Sequence, residues 1–186
     1  MSVLRLRATN EALTLNDLGL TLTGSGNTLS NASGGSSNSG VSDLVQVYLY
    51  DGATQIGSVT FTGTNTTATS TPLAVTLPNN VDKLITVKAD LATIGTGFPG
   101  GIGDSIIIDP KQARTSGQSS GSTIWAGSSV TIGTAGVKMF KSFPTLALDT
   151  LPTAGAADGR LMRFKVTANA AGNIGINEFT FTVSTT

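Results

Sequence analysis

Ser119 stands in Gly117-Gln118-Ser119-Ser120-Gly121, which fits the G-x-S-x-G pattern of a hydrolase nucleophile. That chemistry needs a strand before the serine, a helix after it and a histidine base. The chain has no histidine and no cysteine. Ser-His catalysis, thiol nucleophiles, zinc centres built on those ligands and histidine pH switches are therefore excluded. Gly95-Thr96-Gly97-Phe98-Pro99-Gly100 fits G-x-G-x-x-G. A phosphate cradle of that type opens a helix, whereas here Pro99 and further glycines follow, so the stretch reads as a loop. Asp43, Asp51, Asp82, Asp90, Asp104 and Asp109 carry oxygens that suit calcium, but they are scattered without D-x-D-x-D spacing, and turn and capping roles fit them better.

Other residues offer modification rather than catalysis. Lys165 lies one hairpin from Asn177 and Glu178, the residue types of a lysine–asparagine isopeptide crosslink. Arg163 shares its parity, which favours a solvent-facing lysine instead. Leu151-Pro152-Thr153-Ala154-Gly155 is close to a sortase signal, but no apolar tail follows it. Asn31-Ala32-Ser33 and Asn65-Thr66-Thr67 fit the N-glycosylation pattern, which is common in Thr-rich sequence. Trp125, Tyr48 and Tyr50 are the residues available for a sugar platform, and the apolar surroundings of the two tyrosines point to core packing. No constellation supports an enzyme, and no cofactor or metal is expected.

The elements that must position these residues are strands. Charged residues make up only 12% of the 186, about half the usual share, and Thr, Ser, Gly and Asn fill the gap. Thr fits a half-exposed pleated face, and Gly, Asn and Ser supply turns. Eleven basic and eleven acidic residues cancel, so no basic stripe exists for nucleic acid or an anionic membrane surface. No apolar run is long enough to span a bilayer, so no membrane insertion is expected. The start, Met1 to Arg7, lacks a signal-peptide core, so either a leader has been removed or this is a piece of a longer chain.

Alternation predicts strands over Val3–Ala8, Leu13–Leu22, Leu44–Tyr50, Ile56–Phe61, Leu84–Ala89 and Ile106–Ile108, the last stopped by Asp109-Pro110. The parity change at Asn16-Asp17 predicts a bulge or bend. Asp51-Gly52 and Asn79-Asn80 are turns. Segment 24–40 is low-complexity and reads as a mobile loop, and Thr115–Ser122 as a second polar loop. Val130–Ile132 and Val137–Phe140 read as short strands. Leu161–Ala168 and Asn177–Val183 alternate clearly and predict a hairpin turning at Gly172-Asn173. Nothing has helical periodicity of useful length. These features predict one all-β domain over 1–186, an antiparallel β-sandwich of Ig-like or jelly-roll-like type with long Gly/Ser/Thr-rich loops.

Val3–Ala8 begins the chain ahead of the parity break, so it need not follow the register of the main sheets. Within residues 1–9, Val3, Leu4, Leu6 and Ala8 are the candidate assembly residues. As a donated strand, Leu4, Leu6 and Ala8 would enter a neighbour's core, with Arg5 and Arg7 outward. The other reading keeps the segment as the first edge strand of its own sandwich.

Leu161–Asn169 with Gly175–Phe181, Leu49–Gly57 and Leu84–Asp90 together resemble β-rich repeat-type domains in predicted cell-surface proteins of candidate-phyla-radiation bacteria. The likeness spans most of the chain after about residue 40. It implies export and surface display and brings no catalytic residues. The expected role is thus an extracellular structural protein, a subunit of a filament, pilus-like polymer or surface layer. Its expected partner is itself, with other surface components or glycans beside it. An adhesin or carbohydrate-binding module is the second reading, and a viral capsid or tail protein the third.

Overall fold

The computed structural model describes residues 2–23, 41–63, 65–127, 136–151 and 159–182. It is all-β and sandwich-like, with antiparallel strand ladders and a single short 3-10 turn at Val41–Asp43 among the described residues. The contacts outline two compact units, Met1–Met139 and Phe140–Thr186, where the sequence predicts one domain over 1–186. The segments 24–40, 128–135 and 152–158 lie outside the described residues, and with them the expected loop, the expected strand at Val130–Ile132, Asn31 and most of the Leu151–Gly155 motif.

In the first unit, β1 (Ser2–Arg7), β7 (Asp82–Leu91), β3 (Leu44–Asp51) and β4 (Thr54–Val59) form one sheet in that order. The second sheet runs β10 (Thr123–Gly127), β9 (Ile108–Gly117), β2 (Leu13–Leu22), β5 (Thr67–Thr69), with β6 (Val75–Leu77) also on β2. Period-2 alternation decides which side chains meet between the sheets. Leu4, Val47, Leu49, Val59, Ile85 and Val87 come from the first sheet, and Leu15, Leu18, Leu20, Leu22 and Ala113 from the second, all in one buried cluster. A small ladder joins β8 (Ser105–Ile106) to β11 (Val137–Lys138).

The parity break appears where the sequence puts it. The pairing of β2 with β9 shifts register between Leu15 and Asp17, and both Leu15 and Leu18 reach the core as a result. Asn16 is the residue left without a register partner, and Asp17 beyond it lies opposite Arg114, is buried and accepts from both the Nε and the Nη2 of that arginine. Gly52 and Asn80, at the two expected turns, hold positive φ of 59° each, a conformation that glycine and asparagine adopt most readily.

Two strand assignments change. Asp109-Pro110 does not stop a strand: β9 runs from Ile108 through Gly117, and most of the expected polar loop at Thr115–Ser122 contracts to a turn over 118–120. Pro110 is accommodated beside a second register shift, between Gly19 and Leu20 on β2, where a missing N–H interrupts no regular ladder. The second change is in the unit 140–186. There β13 (Arg163–Ala168) pairs with β12 (Pro144–Asp149), not with 177–182; Val183 lies outside the described residues. Residues 174–182 join no ladder among the described residues.

Candidate assembly surface

The two flanks of the sandwich in the first unit differ. On the β4 flank, residues 70–73 stitch the sheets together. Thr71 N–H donates to Ser58 O (2.8 Å) and Ser58 N–H to Thr71 Oγ1 (3.1 Å), while Ser70 N–H donates to Leu18 O (2.9 Å) and Leu73 N–H to Asn16 O (2.7 Å). Gly57 lets residues 71–73 lie close against β4, since a Cβ there would press on Leu73 Cδ2 and Thr71 Oγ1. That flank is closed.

The β1 flank is open. Among the described residues β1 has one strand partner, β7, and β10 has one, β9, so each presents an unpaired outer edge. The edges are not stacked. β1 touches β9, one strand in from the edge, which leaves β10 projecting past the end of the opposite sheet. Ile124 and Ala126 pair with Thr115 and Ala113, whose side chains are buried, so they occupy the core-facing side of β10. Ile124 is nevertheless 39% exposed, with no strand over it among the described residues.

Two apolar clefts of about 310 Å³ each follow this step. One lies among Val3, Leu4, Leu6, Leu18 and Ala126, the other among Leu6, Ala8, Leu13, Leu77 and Ile124. Leu6, Ala113 and Ala126 line both, so the two form one groove along β1. Glu11 closes its far end by accepting hydrogen bonds from Ser119 N–H (2.8 Å), Ser120 N–H (3.0 Å) and Ser120 Oγ (2.6 Å). Those three donors hold the Glu11 carboxyl below its ordinary range, with the Ser120 hydroxyl contributing most. The outer rim carries Arg5 and Arg7, 3.7 Å and 3.5 Å from the same Asp82 on β7.

The assembly residues expected from the sequence line this groove in a particular way. Leu4 and Ala8 are buried and Leu6 half-buried in their own chain, with β1 in register from Ser2↔Val87 to Arg7↔Asp82; Val3 points out at 60% exposure. In this structure β1 is the edge strand of its own sheet, and its free side is one wall of the site. The other wall, β10, carried no strand signal in the sequence, since Thr123-Ile124-Trp125-Ala126-Gly127 has only two inward positions.

The remaining candidates disperse. Ser119 sits in the tight turn between β9 and β10, held by Glu11, with no helix after it. Gly95–Gly103 folds back on itself, with Gly100 N–H donating to Thr93 O (3.1 Å). Tyr48 and Tyr50 do not pack in the core; they are half-buried on the outer face of β3, Tyr48 donating to Asp90 (3.0 Å) and Tyr50 lying under Lys88 (4.2 Å). Trp125, 60% exposed, is on the other sheet with Arg114 5.9 Å away, so the three rings share no platform. Asn65 is exposed. Lys165 and Glu178 are both exposed and lack the apolar shielding of an isopeptide site. Among the acids, the fold joins Asp43 to Asp104; no group of three metal-ligating acids forms among the described residues. No family model, curated protein or solved structure matches this chain.

Proposed function

We propose that this chain is an extracellular structural subunit that assembles through β-strand addition at the step between β1 and β10. The observation that carries this is the asymmetry of the sandwich: one flank is stitched shut, and the other, among the described residues, leaves two strand edges without a partner beside an apolar groove. An extended strand laid along β1 would continue that sheet, cover Ile124 and Ala126, and satisfy the free backbone groups of β1. The low share of charged residues supports the same reading, since side-by-side packing of such faces desolvates few charges. Export and surface display follow the resemblance seen in the sequence.

Sedimentation velocity over a concentration series, with electron microscopy of the concentrated sample, tests it. The wild-type chain is expected to form polymers, and Ala126→Arg, which places a cation on the groove wall at an exposed strand, to stay monomeric with an unchanged melting curve. Polymers of Ala126→Arg equal to wild type, or a wild-type monomer at every concentration, would overturn the proposal.

A further inference from the structure

We infer that the strand entering this groove is residues 177–182 of a second copy of the chain, an inference that rests on the strand-addition reading above. In the unit 140–186, the β12–β13 hairpin puts Leu146, Leu148, Phe164 and Val166 on one face, because Leu146 pairs with Val166 and Leu148 with Phe164. The Phe179 and Phe181 rings rest on Phe164 at 5.0 Å and 5.8 Å. They remain 43% and 55% exposed there. The segment that carries them alternates apolar and polar residues (Glu178, Phe179, Thr180, Phe181, Thr182) and has no ladder partner among the described residues. It thus has the pattern of a half-buried strand without the sheet that such a pattern requires.

The groove has the complementary deficit. It is a sheet edge with an apolar floor and, among the described residues, no strand over it. With Phe179 and Phe181 directed inward toward Ile124 and Ala126, Glu178, Thr180 and Thr182 turn outward, on the face that carries Arg5 and Arg7. Those two arginines share the single carboxylate of Asp82, so this edge holds an excess positive charge. Glu178 is the one charged residue of 174–182 and supplies the opposite sign. Polar and apolar sides of the segment therefore both match the site.

The symmetry of the product follows. Groove and inserted segment are different surfaces of one chain, so the contact is heterologous and runs head to tail. Such contacts generate rings when the rotation closes and filaments when it does not.

The test uses the full chain carrying Phe179→Ser and Phe181→Ser together, and a synthetic peptide of residues 175–182. The double variant is expected to be monomeric with the wild-type melting transition. The peptide is expected to bind it and to shift the emission of Trp125, the only tryptophan, which lies on β10. The same peptide with both phenylalanines replaced by serine should bind at least tenfold more weakly, and Ala126→Arg in the double variant should abolish binding. If the double variant polymerises like wild type while Ala126→Arg alone prevents polymers, the groove is used but this segment is not its occupant. Absence of peptide binding also overturns this inference. If Ala126→Arg polymerises like wild type, the strand-addition reading fails as well.

Discussion

Asp43 is 1% exposed, and its Oδ1 accepts the Gly101 N–H at 2.7 Å. Burial pushes its carboxyl up to about 6, and the neighbouring Asp104, hydrogen-bonded to it, pushes in the same direction. The Gly101 N–H bond ties Asp43, just before β3, to the 100–104 loop. A folded-state value above the unfolded one means that the stability from this group is fully present below about pH 4 and is lost as pH rises through about 6. Glu11 works in the opposite sense: its lowered carboxyl stabilises above its unfolded value, and that contribution disappears in acid. Replacing Asp43 by Asn keeps a neutral side chain at every pH. Thermal melts at pH 4.5 and pH 7.5 should therefore show a smaller acid-to-neutral loss for Asp43→Asn than for wild type. The expected difference is on the order of 1 kcal/mol, or roughly 2–4 °C at this chain length. Equal losses in the two proteins would contradict a raised Asp43 carboxyl in the folded state. This pair was not legible in the sequence, where Asp43 and Asp104 stand among scattered aspartates and only the fold brings them together.

Among the strands, inward-facing residues should divide sharply by location. Leu15 and Leu20 are fully buried between the sheets, so either one replaced by Ala should cost roughly 2–5 kcal/mol. Ile124 faces the same way on β10 but lies under no strand, so Ile124→Ala should cost under about 1 kcal/mol in the isolated subunit. Urea denaturation of the three variants checks the contrast, and a core-like loss at Ile124 would mean that the groove is already filled. A second contrast concerns Phe164. Its removal frees Phe179 and Phe181 from their contacts within the subunit, each such aromatic pair being worth about 0.5–1.5 kcal/mol. Phe164→Ala should therefore lower the concentration needed for assembly by roughly fivefold to a hundredfold, the two pairs together being worth about 1–3 kcal/mol, measured by light scattering; a higher required concentration would argue against 177–182 as the inserted strand.

The same element scale explains what the sequence reveals. β1, β2, β3, β4 and β7 are legible because their inward positions are Leu, Val and Ile, which make the period visible. β9 is not, although it lies inside its sheet: its buried positions include Asp109, Ala113, Thr115 and Gly117, which carry no apolar alternation, and Pro110 reads as a stop. β12 alternates Leu146 with Leu148 over too short a stretch to stand out. The strong pattern at 177–182 predicts a strand, and in the isolated subunit the pattern is present without the ladder. A periodic sequence specifies that one face seeks burial, not which chain supplies the partner.

For the whole molecule, the core belongs to the first unit. Among the described residues, all the buried apolar ones lie within 4–139, and none of 140–186 is buried. A protein truncated after Met139 should therefore retain a single cooperative unfolding transition within a few degrees of the full chain, followed by circular dichroism, yet form no polymers. Loss of that transition would show that the first unit depends on the second for its stability.

The contact inferred between residues 177–182 of one copy and β1 of another can be measured directly, because the chain has no cysteine. Chains carrying Arg5→Cys or Arg7→Cys are mixed with chains carrying Thr180→Cys under mild oxidation and resolved on a non-reducing gel. Chains carrying Gln55→Cys, on the distant strand β4, serve as the comparison. Rapid crosslinking is expected between the Thr180→Cys chain and an Arg5→Cys or Arg7→Cys chain, and only slow crosslinking to Gln55→Cys. Crosslinking to β1 no faster than to Gln55→Cys would contradict that contact.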